Sequence, residues 1–204
     1  MLTFLIFIFS ITVAYLVGSL SSAIIVCRLA NLPDPRTQGS KNPGATNVLR
    51  LAGKKYAIIV LIADMLKGLL PVLLTSLLTS SPIILSFTCF AAVFGHMYPV
   101  FFQFNGGKGV ATALGAFLGL QFIMGVVIIA VWLTIANFSR YSSLASICAI
   151  VFAPFYSLII FGNLQPFFPL SLITIFVLYK HRNNISRLMV GEEPKITFKR
   201  TKHH

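Results

Sequence analysis

Acidic residues are scarce in this chain, which has only four Asp and Glu residues. No cluster of carboxylates is therefore available to hold Mg²⁺. The sequence also contains neither the HExxH pattern of zinc peptidases nor the GxSxG pattern of serine hydrolases. Charged residues of both signs make up 10% of the chain, against about 25% in soluble domains. These deficits exclude a soluble domain and predict no metal site.

Cysteine is also scarce, and the three that occur, Cys27, Cys89 and Cys148, form no CxxC pair. Each of them lies among apolar residues, and their number is odd. This spacing argues against paired zinc ligands and against a redox-active pair. We predict that the three thiols behave as small buried apolar groups.

Apolar residues are abundant instead, at 57% of the chain, and they form long runs. The runs cover residues 2–27, 56–79, 83–104, 109–120, 122–138, 143–162 and 166–180. A helix needs about 20 apolar residues to cross a bilayer, so the run at 109–120 predicts a half-length or tilted helix. We predict a single all-α domain over residues 1–204, a polytopic integral membrane bundle of seven transmembrane helices with at least one short helix.

The distribution of basic residues predicts the orientation of this bundle. Fifteen of the sixteen Lys and Arg residues fall in loops and helix ends that the seven-span assignment places on one side. The connectors without Lys or Arg lie near 80–82, 120–122 and 162–166. By the positive-inside rule the N-terminus is outside and the C-terminus is cytoplasmic. Reading 109–138 as one span would put Lys108 and Arg140 on opposite sides, which the rule disfavours.

Three polar, basic segments at 39–47, 105–109 and 180–184 all fall on the predicted cytoplasmic side. In the first of them, a helix that starts near Ala45 would hold an anion at its N-terminus, with Arg50 about one turn further along. Glycine, hydroxyl and amide groups in the same loop supply further donors. The alternative is an ordinary solvated connector with Gly and Pro turns. So many donors in one loop favour an anion site.

The glycine-rich segment 105–109 precedes a predicted helix and looks like a shortened phosphate-binding loop. It is not a Walker A motif, because Phe102 stands where the first Gly is required and Gly109 replaces Ser or Thr. The segment still has three features that bind phosphate: exposed backbone amides, a helix N-terminus and the ammonium group of Lys108. Taken alone, the segment fits a plain glycine-rich turn equally well; beside the other two polar segments, phosphate binding is favoured.

The third polar segment places His181 and Asn184 three residues apart, so that they share one face of a helix. Such a pair is suited to orienting a ligand or taking part in catalysis. The basic residues around them, Lys180, Arg182 and Arg187, are also explained by snorkelling at the membrane interface.

The four carboxylates divide into one in the first loop, one inside a span and two near the C-terminus. We predict that Glu192 and Glu193 pair with nearby arginines and do not form a metal site. Asp64 and Lys67 lie in the second span at i and i+3, where a structural ion pair is favoured over a transporter relay. His96, near the end of the third run, is compatible with a structural or a functional role.

In this order and spacing, the polar motifs resemble those of the bacterial acyl-phosphate-dependent glycerol-3-phosphate acyltransferases, the PlsY family. The matching segments are 18–19, 34–36, 39–47, 64–68, 95–99, 106–112, 143–146 and 181–188. The resemblance implies a seven-helix membrane enzyme of phospholipid biosynthesis that needs no cofactor. It would transfer a fatty acyl group from acyl phosphate to the 1-hydroxyl of glycerol 3-phosphate. The chain lacks the HxxxxD pair of acyl-CoA-dependent acyltransferases, which agrees with a donor that is already activated.

The resemblance also assigns roles to individual residues. Catalytic roles are implied for Arg50, Ser143, Lys108, His181 and Asn184. Substrate and phosphate binding is implied for Ser40, Asn42, Gly44, Thr46, Asn47, Gly106, Gly107, Gly109 and Thr112. A structural role is implied for Glu193. The proton of the attacking hydroxyl would go to His181 or to a substrate phosphate oxygen.

The expected partners are the two small-molecule substrates and the lipid bilayer, with no nucleic acid, since the net charge of +12 is explained by topology. The expected location is the bacterial inner membrane, with the site on the cytoplasmic face of a monomer. The competing class is a transporter or channel for phosphorylated solutes, which would use the same basic vestibule. No inverted repeat is apparent and the motifs lie at one face, which favours the enzyme.

Overall fold

The structure is a computed structural model, and it describes residues 1–196. Over that range the chain is helical and has no β-strand. The helices are α1 (Leu2–Gly18), α2 (Ser22–Leu29), α3 (Ala45–Ala52), α4 (Lys54–Ser76), α5 (Pro82–Met97), α6 (Val110–Leu120), α7 (Phe122–Ser139), α8 (Ser142–Phe161), α9 (Phe167–Lys180) and α10 (Arg182–Met189). His203 and His204 lie outside the described residues.

Five helical segments in this range are long and apolar enough to cross a membrane. They are Leu2–Leu29, α4, Pro82–Phe102, α7 and α8. Helices α6 and α9 are apolar but shorter. The predicted all-helical, multi-pass membrane bundle is therefore confirmed, including a short helix that follows the glycine-rich segment. The count of seven crossings stays a prediction, because it requires both shorter helices to cross.

The first apolar run is not one helix, although its sequence predicts a continuous span over 2–27. It breaks between Gly18 and Ser22, where the main chain leaves the helical path. The break leaves the carbonyl oxygen of Leu20 free of the helical ladder, and this oxygen accepts a hydrogen bond of 2.7 Å from Lys67 Nζ. A membrane interior offers no water to a free carbonyl, so the partner on α4 allows the break.

Small residues bring α4 and α6 into close contact at the centre of the bundle. A Cβ atom on Gly68 would lie 2.0 Å from the carbonyl oxygen of Thr112, and one on Gly115 would lie 1.9 Å from that of Met65. Only glycine permits this approach, which is typical of helix packing in membranes. The contact fixes the short helix α6, and with it the glycine-rich segment that precedes it.

The core of the bundle is formed mainly by α5, α6, α8 and α9, with contributions from α4 and α7, and its largest fully buried side chain is Phe117 on α6. The large exposed side chains are apolar along α1, α4 and α7, as a surface in contact with lipid requires. Cys27 and Cys89 are buried as predicted, whereas Cys148 is half-buried. The polar segments remain at the helix ends, where they surround one cavity.

Candidate functional site

A cavity of about 870 Å³ opens where the loop before α3, the glycine-rich segment and the α9–α10 junction meet. Eleven of the fourteen residues singled out from the sequence line it. They are Ser40, Asn42, Gly44, Thr46, Asn47, Arg50, Lys108, Gly109, Ser143, His181 and Asn184. The three polar segments, far apart in sequence, therefore form one site.

A network of hydrogen bonds centred on Glu193 connects three parts of this site. Its carboxylate accepts bonds of 2.7 Å from Ser143 Oγ, 2.6 Å from Asn184 Nδ2 and 2.8 Å from Arg187 Nε. The side-chain oxygen of Asn184 in turn accepts a hydrogen bond from Lys108 Nζ. The predicted pairing of the acidic segment with arginine is thus observed at Glu193. Glu192 makes no ion pair with any residue in the range 1–196.

The network also controls which charges are available in the cavity. Burial alone would raise the pKa of Glu193, but hydrogen bonds from Ser143, Asn184 and Arg187 hold that pKa below its usual value. Glu193 therefore stays ionised and neutralises Arg187. Lys108 donates a hydrogen bond to the neutral amide oxygen of Asn184 and not to a carboxylate. Its positive charge is therefore not neutralised by an ion pair among the described residues.

The pKa of Lys108 is lowered to about 8, above all by burial; the charge of Glu193 opposes this shift, and those of Arg187 and Arg50 contribute to it. An ammonium group in this position is poised to gain an anionic partner, because a bound phosphate would restore its usual preference for the charged form. Arg50 and Lys108 both line the cavity. Together they provide a charged pole for an anion.

His181 occupies the junction between α9 and α10, where it is 2% exposed. Its Nδ1 lies 2.8 Å from the carbonyl oxygen of Val177, and this contact requires the ring proton on Nδ1. Burial, followed by the charge of Lys108, lowers its pKa to about 4. The imidazole is therefore neutral at pH 7, and its Nε2 has no hydrogen-bond partner among residues 1–196. That atom is available to accept a hydrogen bond from a hydroxyl.

The loop before α3 depends on Asn47, which uses its side chain for internal bonds. Its oxygen accepts a hydrogen bond of 3.0 Å from the amide of Ser40, and its nitrogen donates to the carbonyl oxygens of Pro35 and Gln38. Asn47 therefore shapes the loop, whereas the exposed hydroxyl groups of Ser40 and Thr46 are not used within it and can meet a ligand. The Thr46 hydroxyl has one long contact, of 3.5 Å, with Ser142 Oγ. The sequence pattern could not separate these two kinds of donor.

Three of the singled-out residues, Gly106, Gly107 and Thr112, do not line the cavity. The two glycines pack against His96: the amide of Gly107 donates to its carbonyl oxygen at 3.1 Å. Thr112 is fully buried, and its hydroxyl has no hydrogen-bond partner in the described part of the chain. The geometry gives these residues a role in packing, and direct contact with a phosphate stays a prediction for them.

The structure adds an apolar part of the cavity that no polar motif indicated. Its walls come from α4, α6 and α7, and they include Leu61, Met65, Leu114, Ile129, Trp132 and Leu133. The indole of Trp132 donates a hydrogen bond of 3.0 Å to Ser146 Oγ, which fixes its ring beside the polar pole. These residues lie within ordinary apolar runs, so only the packing of the helices distinguishes them.

Two basic residues at the cavity mouth are engaged elsewhere. Lys180 Nζ donates to the carbonyl oxygen of Met97 at 2.9 Å and lies 4.2 Å from the centre of the Tyr98 ring. Arg182 stacks on Tyr179 and donates to its carbonyl oxygen. Arg50, in contrast, has no hydrogen bond or ion pair among the described residues. Over residues 1–196, no group of three His, Cys, Asp or Glu residues is arranged to hold a metal ion.

Residues 8–191 match the family model described as glycerol-3-phosphate acyltransferase. A glycerol-3-phosphate acyltransferase of Legionella pneumophila (strain Corby) is 64% identical over 193 residues, which are 95% of this chain and 70% of the relative. One from Methylococcus capsulatus is 48% identical over 187 residues, which are 92% of this chain and 94% of that relative.

Two solved structures also resemble the chain over most of its length. One is the crystal structure of PlsY (YgiH), described as an integral membrane glycerol 3-phosphate acyltransferase, in its glycerol 3-phosphate form. It is 40% identical, with a TM-score of 0.88, and the match covers 94% of this chain and 96% of that chain. The lysophosphatidic acid form is 39% identical, with a TM-score of 0.86, and the match covers 94% and 95% of the two chains.

Proposed function

The chain belongs to the glycerol-3-phosphate acyltransferase family, and from this premise we propose that its acyl donor is a fatty acyl phosphate. It is a membrane acyltransferase, and the product is 1-acyl-glycerol 3-phosphate. The observation that supports this donor is a single cavity with a cationic polar pole and an apolar wall. An acyl phosphate has the same two parts, a phosphate group and a fatty chain.

In the proposed reaction, the 1-hydroxyl oxygen of glycerol 3-phosphate attacks the acyl carbon. The bond between that carbon and the phosphate oxygen breaks, and inorganic phosphate leaves with the electron pair. Arg50 and Lys108 bind the phosphate groups and offset the charge that develops on the leaving group. The hydroxyl donates a hydrogen bond to Nε2 of His181, and its proton passes either to that nitrogen or to a phosphate oxygen. Since acyl phosphate is an activated donor, positioning and charge account for most of the acceleration.

The surroundings of the site support a cytoplasmic location in the bacterial inner membrane. The cavity lies at the end of the bundle that carries the basic helix termini, and such residues are enriched on the cytoplasmic side. With both short helices crossing, the bundle has seven spans, an external N-terminus and a cytoplasmic C-terminus. We propose that the enzyme acts as a monomer.

A transporter is not supported by the comparisons. The pair that such a function would use, Asp64 and Lys67, is an internal ion pair of 2.8 Å, as the sequence analysis favours. The polar residues of the cavity also converge at one end of the helices, whereas transporter sites lie near the bilayer midplane.

The donor is tested by measuring release of inorganic phosphate from a purified, detergent-solubilised preparation. With a fatty acyl phosphate, release should require glycerol 3-phosphate and match the amount of lysophosphatidic acid formed. Acyl-CoA and acyl carrier protein thioesters are the comparison donors. Turnover with a thioester but not with acyl phosphate would show that the donor proposal is wrong.

We expect activity to be unchanged in excess chelator and without nucleotide or coenzyme A. The physical reason is that the three carboxylates lining the cavity form no metal-binding group among residues 1–196. Glu193 is already bonded to three side chains, Asp64 is paired with Lys67, and Glu192 would be a single ligand. The measurement is lysophosphatidic acid formation before and after treatment with chelator. Loss of activity that Mg²⁺ restores would contradict the proposed charge compensation by Arg50 and Lys108.

We also expect kcat/KM to fall as the pH rises through about 8, the pKa of Lys108 in the free protein. Below that pH Lys108 is charged and binds phosphate; above it the neutral amine does so more weakly. Because kcat/KM reports the free enzyme, the decline should follow one titrating group. In Lys108→Arg, any remaining activity should lack this decline, since a guanidinium group stays charged throughout this pH range. An identical alkaline decline in both proteins would assign it to another group.

A further inference from the structure

A line of buried polar contacts runs from the break between α1 and α2 to the glycine-rich segment. Lys67 Nζ binds the carbonyl oxygen of Leu20 and lies 2.8 Å from Asp64 Oδ1. Asp64 Oδ1 is in turn 3.5 Å from His96 Nδ1. The exposed fractions of Asp64, Lys67 and His96 are 2%, 6% and 7%. The buried ion pair of Asp64 and Lys67 is costly to break. The His96 ring packs beside this pair without a hydrogen bond, since neither Asp64 Oδ1 nor His96 Nδ1 has a hydrogen-bond partner among residues 1–196.

His96 makes the last contact in this line, and the contact is with the glycine-rich segment. Its carbonyl oxygen accepts the amide hydrogen of Gly107. Its ring occupies the space that a side chain at position 107 would need: a Cβ there would lie 2.1 Å from His96 Nε2, and its next two neighbours are also atoms of that ring. The residue that follows is Lys108, whose ammonium group forms the cationic pole of the cavity.

We propose that His96, packed beside the Asp64–Lys67 ion pair, is a positioning residue. It fixes the glycine-rich segment and thereby orients the ammonium group of Lys108 towards the substrate phosphate. This inference rests on the proposed phosphate-binding role of Lys108. His96 itself does not need to touch substrate; it acts through Gly107. The ion pair between Asp64 and Lys67 then has a use beyond neutralising charge in the membrane, because it holds the imidazole in place.

The decisive experiment combines Gly107→Ala with His96→Ala. In Gly107→Ala the added methyl group meets the His96 ring and displaces the segment. A displacement of about 1 Å costs about a hundredfold in activity, so kcat/KM should fall by about that factor. Removing the ring makes room for the methyl group. The double variant should therefore be about tenfold more active than Gly107→Ala alone, since part of the displacement is relieved.

Gly106→Ala is the matched control for this recovery. Its Cβ would lie 2.1 Å from the carbonyl oxygen of residue 96, which every amino acid carries. His96→Ala should therefore give no recovery in a Gly106→Ala background. Equal recovery of both glycine variants, or of neither, would overturn the positioning role.

His96→Ala by itself separates positioning from simple support of the core. We expect its kcat/KM for glycerol 3-phosphate to fall by about tenfold or more, because Lys108 is no longer held in place against the phosphate groups. Thr88→Ala is the control for stability, since Thr88 is a fully buried residue of the same helix that bonds only to Ile84. A wild-type kcat/KM in His96→Ala, with lower Tm as its only defect, would reduce His96 to a packing residue.

Calorimetric titration with glycerol 3-phosphate makes the test independent of the acyl donor. Gly107→Ala should weaken binding, and the double variant should regain part of it. If wild-type protein fails to use acyl phosphate but this pattern of binding holds, the donor proposal is wrong and the positioning role stands. If wild-type protein uses acyl phosphate but the two substitutions act additively on binding, the positioning role is wrong.

Discussion

Arg50→Lys is expected to lower kcat/KM by about thirty- to a hundredfold, although the charge is preserved. Arg50 lines the cavity from α3 and has no partner among the described residues, so its guanidinium is available for two parallel hydrogen bonds to a phosphate group. Lys makes only a single point-charge contact there. Loss of one charge-assisted hydrogen bond costs about 2–3 kcal/mol, and every 1.4 kcal/mol is about a factor of ten.

Arg182→Lys is the matched control for this prediction. Arg182 also borders the cavity, but its guanidinium stacks on Tyr179 and bonds to that residue's carbonyl oxygen. Its replacement should change kcat/KM by less than about threefold, since surface substitutions usually cost under about 0.5 kcal/mol. Steady-state kinetics with both substrates decide the matter. Small and equal losses in the two variants would remove Arg50 from the phosphate site.

Lys108→Ala is expected to lose at least about ten- to a hundredfold in kcat. The substitution removes one unit of charge and a charge-assisted hydrogen bond worth about 1.5–3 kcal/mol. We expect the loss in kcat to exceed the rise in KM, because the leaving phosphate gains charge as the bond to the acyl carbon breaks. Steady-state kinetics in which glycerol 3-phosphate and acyl phosphate are varied separately measure both quantities.

A second reading makes Lys108 only a determinant of membrane topology. Lys108→Arg distinguishes the two readings, because it keeps the positive charge but places a larger head group beside Asn184 and Glu193. A topological role predicts normal activity in Lys108→Arg, whereas a phosphate-binding role in this confined space predicts a clear loss. Lys55→Ala is the charge-removal control, since Lys55 is an exposed basic residue that does not line the cavity. Near-normal kinetics in a correctly inserted Lys108→Ala protein would leave only the topological role.

The sequence predicted the helical class and the polar segments correctly, but it did not predict how the polar side chains use their hydrogen bonds. Asn47 and Thr46 are equivalent donors in the pattern. In the structure the side chain of Asn47 forms hydrogen bonds within its own loop, while Thr46 faces the cavity. Which of the two side chains bonds within the loop depends on how residues 35–40 fold back against α3. The periodicity of the sequence carries no information about that loop conformation.

The role of His96 could not be predicted from the sequence either, because its contacts are distant along the chain. The pattern left it between a structural and a functional role, because a lone histidine near a helix end has no local partner to identify it. Its contacts, Asp64 and Gly107, lie on other parts of the chain. Helix packing through Gly68 and Gly115 brings those parts together, so the role of His96 became visible only in the assembled bundle.

The sequence by itself determined the class of the protein and the position of its polar segments at the helix ends. Both follow from one constraint: apolar runs in lipid must satisfy their backbone hydrogen bonds internally, which requires helices and leaves polar segments at the helix ends. Only the tertiary structure decided the break at 19–21, the joining of Ser143, Asn184 and Lys108 through Glu193, and the apolar wall beside them. These features depend on contacts between distant segments, whose energies are set by distance and burial in the folded bundle.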